Sequence, residues 1–187
     1  LEATWREEDA RFALQLADAL LEHFMDAEGG GFFHTAHDAE ALIHRPRPTL
    51  DDALPGGSST AARALQRGGH LFGRQDCLDA AERALAQAGP YMERAAQAHA
   101  TALDALAEFH APPEQILIRG PEAADWASAM REGFRPDRRI YAIAGEDCLP
   151  SFLPSETPSE TTAWVCRRGT CSLPITSRSA LDAELGG

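Results

Sequence analysis

Histidine and carboxylate side chains that could bind a metal ion or transfer a proton are concentrated in one short segment. They are His34, His37, Asp38 and Glu40. Imidazole nitrogens and carboxylate oxygens are common ligands of transition metals, and imidazole also moves protons near neutral pH. The spacing matches no zincin motif, and a solvated polar loop has the same composition. We therefore predict no metal and no cofactor from this segment.

Two adjacent carboxylates, Asp51 and Asp52, are candidates for general acid–base chemistry. Neighbouring side chains in an extended segment point to opposite sides, so these two do not form a facing pair. A glycosidase-type pair needs carboxyl groups about 5–5.5 Å or about 6.5–9.5 Å apart. One of the two aspartates would therefore need a partner from another part of the chain.

Cys166 and Cys171 are the closest pair of the four cysteines. Zinc sites usually need two such pairs, and a redox CxxC motif has two intervening residues at a helix start. Arg167 and Arg168 would favour a thiolate, which leaves a redox role open. Four cysteines are too few for a secreted disulfide scaffold of this length. We expect ordinary reduced thiols at a turn and a cytoplasmic protein.

Composition and charge exclude several classes of function. The 187 residues include 17 Lys and Arg against 29 Asp and Glu, for a net charge of −12. Nucleic-acid binding needs clustered cations and is not expected. No apolar run approaches the ~18 residues of a membrane span. The chain starts at Leu1 without an initiator Met or an apolar leader, so we expect a fragment of a longer protein.

The first half of the chain has helical periodicity. Apolar residues recur at helical spacing from Ala10 to Phe24, after a capping box of Thr4 and Glu7. A long ordered loop with three prolines follows, from His34 to Gly57. Three more helices are predicted: Ser58–Leu71, a helix from Asp76 to a stop at Gly89–Pro90, and Tyr91–Phe109. The last of the three should bury His99 and Leu103.

The period changes after Pro112 and Pro113. Two short apolar strands, 115–119 and 139–143, flank an amphipathic helix at 123–132, which is a βαβ pattern with parallel strands. A third strand is predicted at 162–166, and Ser179 could cap a last helical turn. We predict an α+β fold of antiparallel helical hairpins in residues 1–111, followed by a small α/β unit with about three strands in residues 112–187.

Three segments resemble the signature of a known family. The first segment has GGFF at 30–33, TAHDAE at 35–40, LI at 42–43 and RPR at 45–47. The second has DDALPGGSS at 51–59 and AA at 61–62, and the third has VC-x4-C at 165–171. The pattern is similar to that of the thioredoxin-domain proteins typified by spermatogenesis-associated protein 20 and its bacterial relatives. That family joins an N-terminal thioredoxin-like domain to an α/α toroid of the six-hairpin glycosidase type. The resemblance implies a C-terminal part: the last toroid hairpins plus a terminal α/β piece, with the thioredoxin-like domain upstream as a partner.

The resemblance also implies candidate site residues. Toroids of this type use loop carboxylates or histidines that point into a central cavity. The catalytic candidates for acid–base chemistry on a sugar are His34, Asp38, Asp51 and Asp52, and the binding candidates are Arg45, Ser58 and Ser59. Ser58 stands where the family has Asn, so it can replace a helix cap but not a ligand-binding amide.

Three functions stay open at this stage. The chain could belong to a carbohydrate enzyme, act as a non-catalytic binding or scaffold module, or exchange thiols through Cys166 and Cys171 with the upstream domain. Four helices cannot complete a six-hairpin toroid, and a second copy of the chain could supply further hairpins.

Overall fold

The computed structural model describes residues 1–40 and 43–186, which divide into two compact units. The helical unit comprises residues 13–111, and the sheet unit comprises residues 1–12 together with the residues from Pro112 onward. Leu42, part of the family pattern, lies outside the described residues. Helical hairpins are followed by a small sheet, so the predicted α+β class is confirmed.

Four helices form the first part of the chain. They are α1 (Glu7–Ala19), which continues as a π-helical turn at Leu20–Phe24, α2 (Gly57–Phe72), α3 (Gln75–Arg94) and α4 (Ala100–His110). The core between α2, α3 and α4 is built mainly from small residues: Ala61, Ala62, Ala80, Ala81, Ala84 and Ala105, with Leu65, Leu85 and Phe32. Alanines at these positions let the helices approach closely.

Gly69 shows how close that approach is. A Cβ atom there would lie 2.7 Å from Leu78 Cδ2 and 3.0 Å from the Arg74 carbonyl oxygen. The glycine weakens α2 as a helix by about 1 kcal/mol relative to alanine. A side chain at this position would have to displace the Leu78 side chain and would press on the Arg74 carbonyl, so the glycine suits the hairpin between α2 and α3.

Two predicted helix boundaries are wrong. The expected stop at Gly89–Pro90 does not occur, because α3 runs through Pro90 to Arg94. Buried Ala88 and Met92 pack on either side of the proline, and this packing outweighs the hydrogen bond that a proline nitrogen cannot donate. The chain instead breaks after Arg94, and a short 3₁₀ turn precedes α4.

The break changes which face of α4 is buried. Ala102 and Ala105 are completely buried and Leu106 packs beside them, whereas Leu103 is 36% exposed. The predicted burial of Leu103 is therefore wrong. The prediction assumed one helix from Tyr91, and the break after Arg94 turns a different face of α4 towards the core. His99 is buried as predicted, and its Nδ1 lies 3.0 Å from the Ala95 carbonyl oxygen.

The sheet unit contains the predicted βαβ motif. Strand β1 (Glu114–Arg119), helix α5 (Ala123–Met130) and strand β2 (Arg138–Ala142) follow in order, and the two strands are parallel. Strand β3 (Thr162–Arg167) pairs antiparallel with β1 and with the short β4 (Thr170–Cys171). The order β2-β1-β3-β4 adds a fourth strand to the three predicted, and α6 (Arg178–Glu184) packs Leu181 into the core.

Helix caps differ from the predictions in this unit. Glu7 forms no capping box with Thr4; its carboxylate accepts the backbone N–H groups of Glu146 and Asp147 at 2.7 and 2.8 Å. Ser177, rather than Ser179, caps α6 by accepting the Ala180 N–H. Among the described residues, no helix has the length and apolar character needed to cross a membrane.

Arg119 organises the proline- and serine-rich loop that precedes β3. Its side chain is fully buried and its guanidinium donates to the carbonyl oxygens of Pro154, Glu156 and Gly145, the last at 2.8 Å. Burial lowers the pKa of Arg119. A buried cation is tolerated here because its two terminal nitrogens, Nη1 and Nη2, both donate to backbone carbonyl oxygens.

A carboxylate between two arginines links α2 to α4. Glu108 accepts hydrogen bonds from Arg63 Nη2 at 2.8 Å and from Arg67 Nε at 2.7 Å, and its side chain is 13% exposed. Burial alone would raise the pKa of Glu108, but the two guanidinium groups lower it to about 2.

This ion pair predicts a pH dependence of stability. The pKa of Glu108 is lower in the folded chain than its ordinary value of 4.5, so its contribution is complete above that value and is lost as the pH falls towards about 2. Glu108→Gln should lower the free energy of unfolding by about 2 kcal/mol near neutral pH and by less than half as much at about pH 3. Urea denaturation at both pH values tests this, with the exposed Glu93→Gln as control; an equal loss at both would contradict it.

Candidate functional site

The Gly-Gly-Phe-Phe segment turns the chain back on itself after the π-helical turn. Gly30 and Gly31 have left-handed backbone with φ of 73° and 78°. A Cβ atom on Gly30 would lie 2.7 Å from the Arg83 carbonyl oxygen. The turn places Phe32 in the helical core and leaves Phe33 half-buried at the edge of a cavity.

The cavity is open and has a volume of about 730 Å³. Its wall combines loop residues, which include Phe33, Arg45 and Arg47, with Gln87 and Tyr91 of α3. The Arg45 guanidinium lies over the Phe33 ring at 4.0 Å from the centroid and donates to the Thr35 carbonyl oxygen at 2.5 Å. This stacking fixes the cation in the cavity wall.

Asp26 is the carboxylate of this cavity. It accepts the Gly29 and Glu28 N–H groups at 3.0 and 3.1 Å and pairs with Arg47 at 2.5 Å. The pKa of Asp26 is lowered, first by the Gly29 N–H and then by the Glu28 N–H and the nearby arginines, although burial opposes them. Arg47 is thereby neutralised, whereas Arg45 forms no ion pair within 4 Å in the part of the chain that the structure describes.

Two buried polar atoms at this cavity lack partners. Gln87 Oε1 and Arg45 Nε have no hydrogen-bond partner among the described residues. Buried donors and acceptors are nearly always satisfied in folded proteins, so each exception calls for an explanation such as strain, an ordered water or an ion. Both atoms are shielded from solvent in this structure.

Asp51 binds backbone on both of its carboxylate oxygens. Oδ1 accepts the Gly56 N–H at 2.8 Å and Oδ2 accepts the Thr101 N–H at 2.7 Å. Burial raises the pKa of Asp51, but these hydrogen bonds lower it overall. The side chain therefore closes the loop before α2 and satisfies a free N–H at the start of α4, while Asp52 is exposed.

The predicted catalytic residues are not brought together. Within the described residues, no hydrogen bond or ion pair joins any two of His34, Asp38, Asp51 and Asp52. His34 is exposed, and its backbone N–H donates to the Pro46 carbonyl oxygen. Asp38 is also exposed and lies beside His23. The catalytic assignment stays a prediction, without an assembled acid–base pair.

The three predicted binding residues have different surroundings. Arg45 lines the cavity. Ser58 and Ser59 are only 2% and 3% exposed, and their hydroxyl groups contact loop backbone. Ser58 Oγ accepts the Phe32 N–H at 3.1 Å, and Ser59 Oγ donates to the Thr49 carbonyl oxygen at 3.4 Å. Both serines therefore hold the loop against α2.

Two curated proteins are similar to 94% of the chain. Spermatogenesis-associated protein 20 of Homo sapiens is 28% identical over 189 aligned residues, and that of Mus musculus is 26% identical over the same length. The chain is homologous to spermatogenesis-associated protein 20. It spans about a quarter of these relatives, 23% of each. No protein-family model matches the chain.

The homology confirms the resemblance inferred from the sequence pattern, and it is consistent with a C-terminal part of spermatogenesis-associated protein 20. Sequence reasoning missed Asp26, Gln87 and Tyr91 as cavity residues. Gln87 and Tyr91 are one helical turn apart on α3, and the predicted stop at Pro90 had placed them in different helices. Their four-residue spacing could have predicted that both side chains lie on one face of a helix, had the helix been continued through Pro90.

Cys166 and Cys171 form a disulfide between β3 and β4. The expectation of reduced thiols is wrong for this pair, because the tight turn at Arg168 and Gly169 places the two residues directly opposite each other in the ladder. The remaining cysteines, Cys77 and Cys148, are free.

Asp51→Ala should destabilise the chain by about 1–2 kcal/mol, because the Gly56 and Thr101 N–H groups both lose their acceptor. Asp52→Ala is the matched control: its side chain is exposed, so the change should stay within about 0.5 kcal/mol. Urea denaturation measures both. Equal effects of the two variants would contradict the capping role of Asp51.

Breaking the disulfide should cost about 2 kcal/mol of stability, since the closed loop is short. The double variant Cys166→Ala/Cys171→Ala removes the bond, and reduction of the unmodified chain with dithiothreitol removes it without creating a cavity. Thermal unfolding measures both, with Cys148→Ala as control. Unchanged melting after complete reduction, verified by thiol titration, would contradict the prediction.

Proposed function

We propose that the chain is a binding module of a longer protein, and that the cavity beside Phe33 binds a small oxygen-rich anion of the sugar-acid type. The observation that carries the proposal is Arg45. Its guanidinium is held by the Phe33 ring and the Thr35 carbonyl oxygen, and it has no carboxylate within ion-pair distance among the described residues.

The chemistry of the wall fits such a ligand. A guanidinium group presents paired N–H donors that match a carboxylate. Gln87 and Tyr91 line the same cavity, and Tyr91 is 46% exposed there. The volume of about 730 Å³ is within the usual range for small-molecule sites.

Local charge favours an anion although the whole chain is acidic. The cavity wall contains Arg45 and Arg47 against the single carboxylate of Asp26. The net charge of −12 repels anions from a distance, and salt screens that repulsion beyond about 8–10 Å. Short-range contacts with Arg45 therefore decide binding.

Binding is favoured over catalysis because two carboxylates that could do acid–base work are already hydrogen-bonded to backbone. Both carboxylate oxygens of Asp51 accept backbone N–H groups. Asp26 is similarly bound by two backbone N–H groups and by Arg47. The link to sugar chemistry is an inference from the toroid resemblance, and catalysis by the longer protein would use residues of its other parts.

A scaffold role is the second candidate, and an apolar groove of about 230 Å³ between α1 and α2 favours it. Leu14, Leu16 and Leu20 line the groove, and Leu16 is 49% exposed. Further hairpins of the longer protein would cover these side chains, since the chain spans only 23% of its relatives. An upstream thioredoxin-like domain and a second copy of the chain are the alternative partners.

Two further sequence-based inferences stay predictions. Thiol exchange by Cys166 and Cys171 would require access to the disulfide, and Cys166 is 6% exposed. The cytoplasmic location was inferred from reduced thiols, and the disulfide between these residues removes that argument.

Isothermal titration with D-glucuronate and D-glucose tests the binding proposal, because the two sugars differ by one carboxylate. Glucuronate should bind more tightly, and Arg45→Gln should weaken its binding at least tenfold through loss of a charge-assisted hydrogen bond. Arg94→Gln, an exposed arginine at the end of α3, should bind as the unmodified chain does.

Circular dichroism of Arg45→Gln verifies that the variant is folded. Equal binding of both sugars, or equal affinities of the unmodified chain and Arg45→Gln, would contradict the role of Arg45. Absence of binding by either sugar would contradict the proposed ligand class and favour the scaffold role.

A further inference from the structure

We propose that His23, His37 and Asp38 form a binding site for a divalent transition-metal ion, best suited to zinc. One ligand atom from each side chain lies within 4.8 Å of the other two. Among the described residues this is the only such group of three or more histidine, cysteine or acidic side chains. The site is independent of the proposed binding function, since none of its residues lines the cavity beside Phe33.

Backbone hydrogen bonds bring two distant segments together at this site. His23 lies in the π-helical turn after α1, and the His37 N–H donates to the His23 carbonyl oxygen at 2.8 Å. The Phe33 N–H donates to the Phe24 carbonyl oxygen, also at 2.8 Å. Because both ends of the intervening segment are tied down, His37 and Asp38 are held beside the turn. Single π-helical turns of this kind are frequent at functional sites.

The two imidazole rings are already aligned. The rings of His23 and His37 stack with centroids 5.2 Å apart and planes 19° apart. His37 Nδ1 lies 3.4 Å from the His23 carbonyl oxygen. A backbone carbonyl of this kind is a usual partner for the second nitrogen of a metal-bound imidazole, and it fixes the orientation of the ring.

The spacing of His23 and Asp38 suits a bridging ion. His23 Nδ1 is buried without a hydrogen-bond partner among the described residues, and Asp38 Oδ2 is 3.8 Å from it. That distance is too long for a hydrogen bond. Two ligands of a tetrahedral zinc ion lie about 3.3 Å apart, given zinc–ligand distances of about 2.0–2.1 Å. A zinc ion therefore requires His23 Nδ1 and Asp38 Oδ2 to approach by about 0.5 Å, and ligand atoms that are as much as 4.8 Å apart to move closer as well.

The types of ligand indicate which ion would bind, and their exposure shows that the ion could reach them. Two imidazoles and one carboxylate favour zinc and its neighbours over calcium or magnesium, which prefer oxygen ligands alone. His37 and Asp38 are exposed, so an ion can enter from solvent. Three protein ligands leave a fourth tetrahedral position for water, as in catalytic zinc sites. Glu22 Oε2 lies 3.8 Å from His23 Nε2, beyond hydrogen-bond distance, and is not counted as a ligand.

Zinc titration of the full chain tests the proposal, after removal of bound metal with a chelator. Isothermal titration should give one Zn²⁺ per chain. His37→Ala and Asp38→Asn should each weaken binding at least tenfold, and both residues are exposed, so the variants should fold normally. His34→Ala is the matched control, because this exposed histidine is in the same loop but outside the cluster. The zinc affinity of that variant should be unchanged.

The cobalt spectrum identifies the ligands. Co²⁺ bound at the cluster should give a d–d spectrum without a thiolate charge-transfer band, and His23→Ala should abolish that spectrum. A thiolate band would place the ion at the free Cys77 or Cys148 and would overturn the proposal. No zinc binding, or equal affinities of His37→Ala, Asp38→Asn and the unmodified chain, would also overturn it.

Discussion

The carboxylate of Asp51 holds the loop on which the candidate sites depend. One of its oxygens accepts the Gly56 N–H just before α2, and the other accepts the Thr101 N–H in the first turn of α4. A long segment without secondary structure leaves many backbone groups in need of partners. Asp51 supplies such a partner at the end of the loop, and Ser58 and Asp26 accept backbone N–H groups of the turn that precedes it.

Close helix packing determines where that loop can attach. The alanine-rich core and Gly69 draw α3 against α2, and Pro90 does not interrupt the arrangement because Ala88 and Met92 are buried on either side of it. The continuous α3 then places Gln87 and Tyr91 together opposite Arg45. The cavity is therefore a consequence of helix packing as much as of the loop sequence.

In the sheet unit, a buried cation holds an irregular loop by binding its backbone. Arg119 ends β1 and binds the carbonyl oxygens of the loop before β3. The disulfide between Cys166 and Cys171 closes the following hairpin. Both devices fix irregular backbone next to a regular strand, which explains how a four-stranded sheet is held in so short a segment.

The sequence by itself determined the α+β class, the parallel βαβ motif and the resemblance that the homology confirms, because these depend on local periodicity and on residue motifs. It named Arg45 and Asp38, but not Gln87, which lines the same cavity as Arg45, nor His23, which lies beside Asp38; both are distant in the chain. Only the tertiary structure decided that Asp51 caps backbone, that α3 passes Pro90 and that Cys166 is bonded to Cys171. The physical reason is that the role of a polar side chain depends on which backbone groups and charges packing places beside it, and single-sequence patterns do not encode those neighbours.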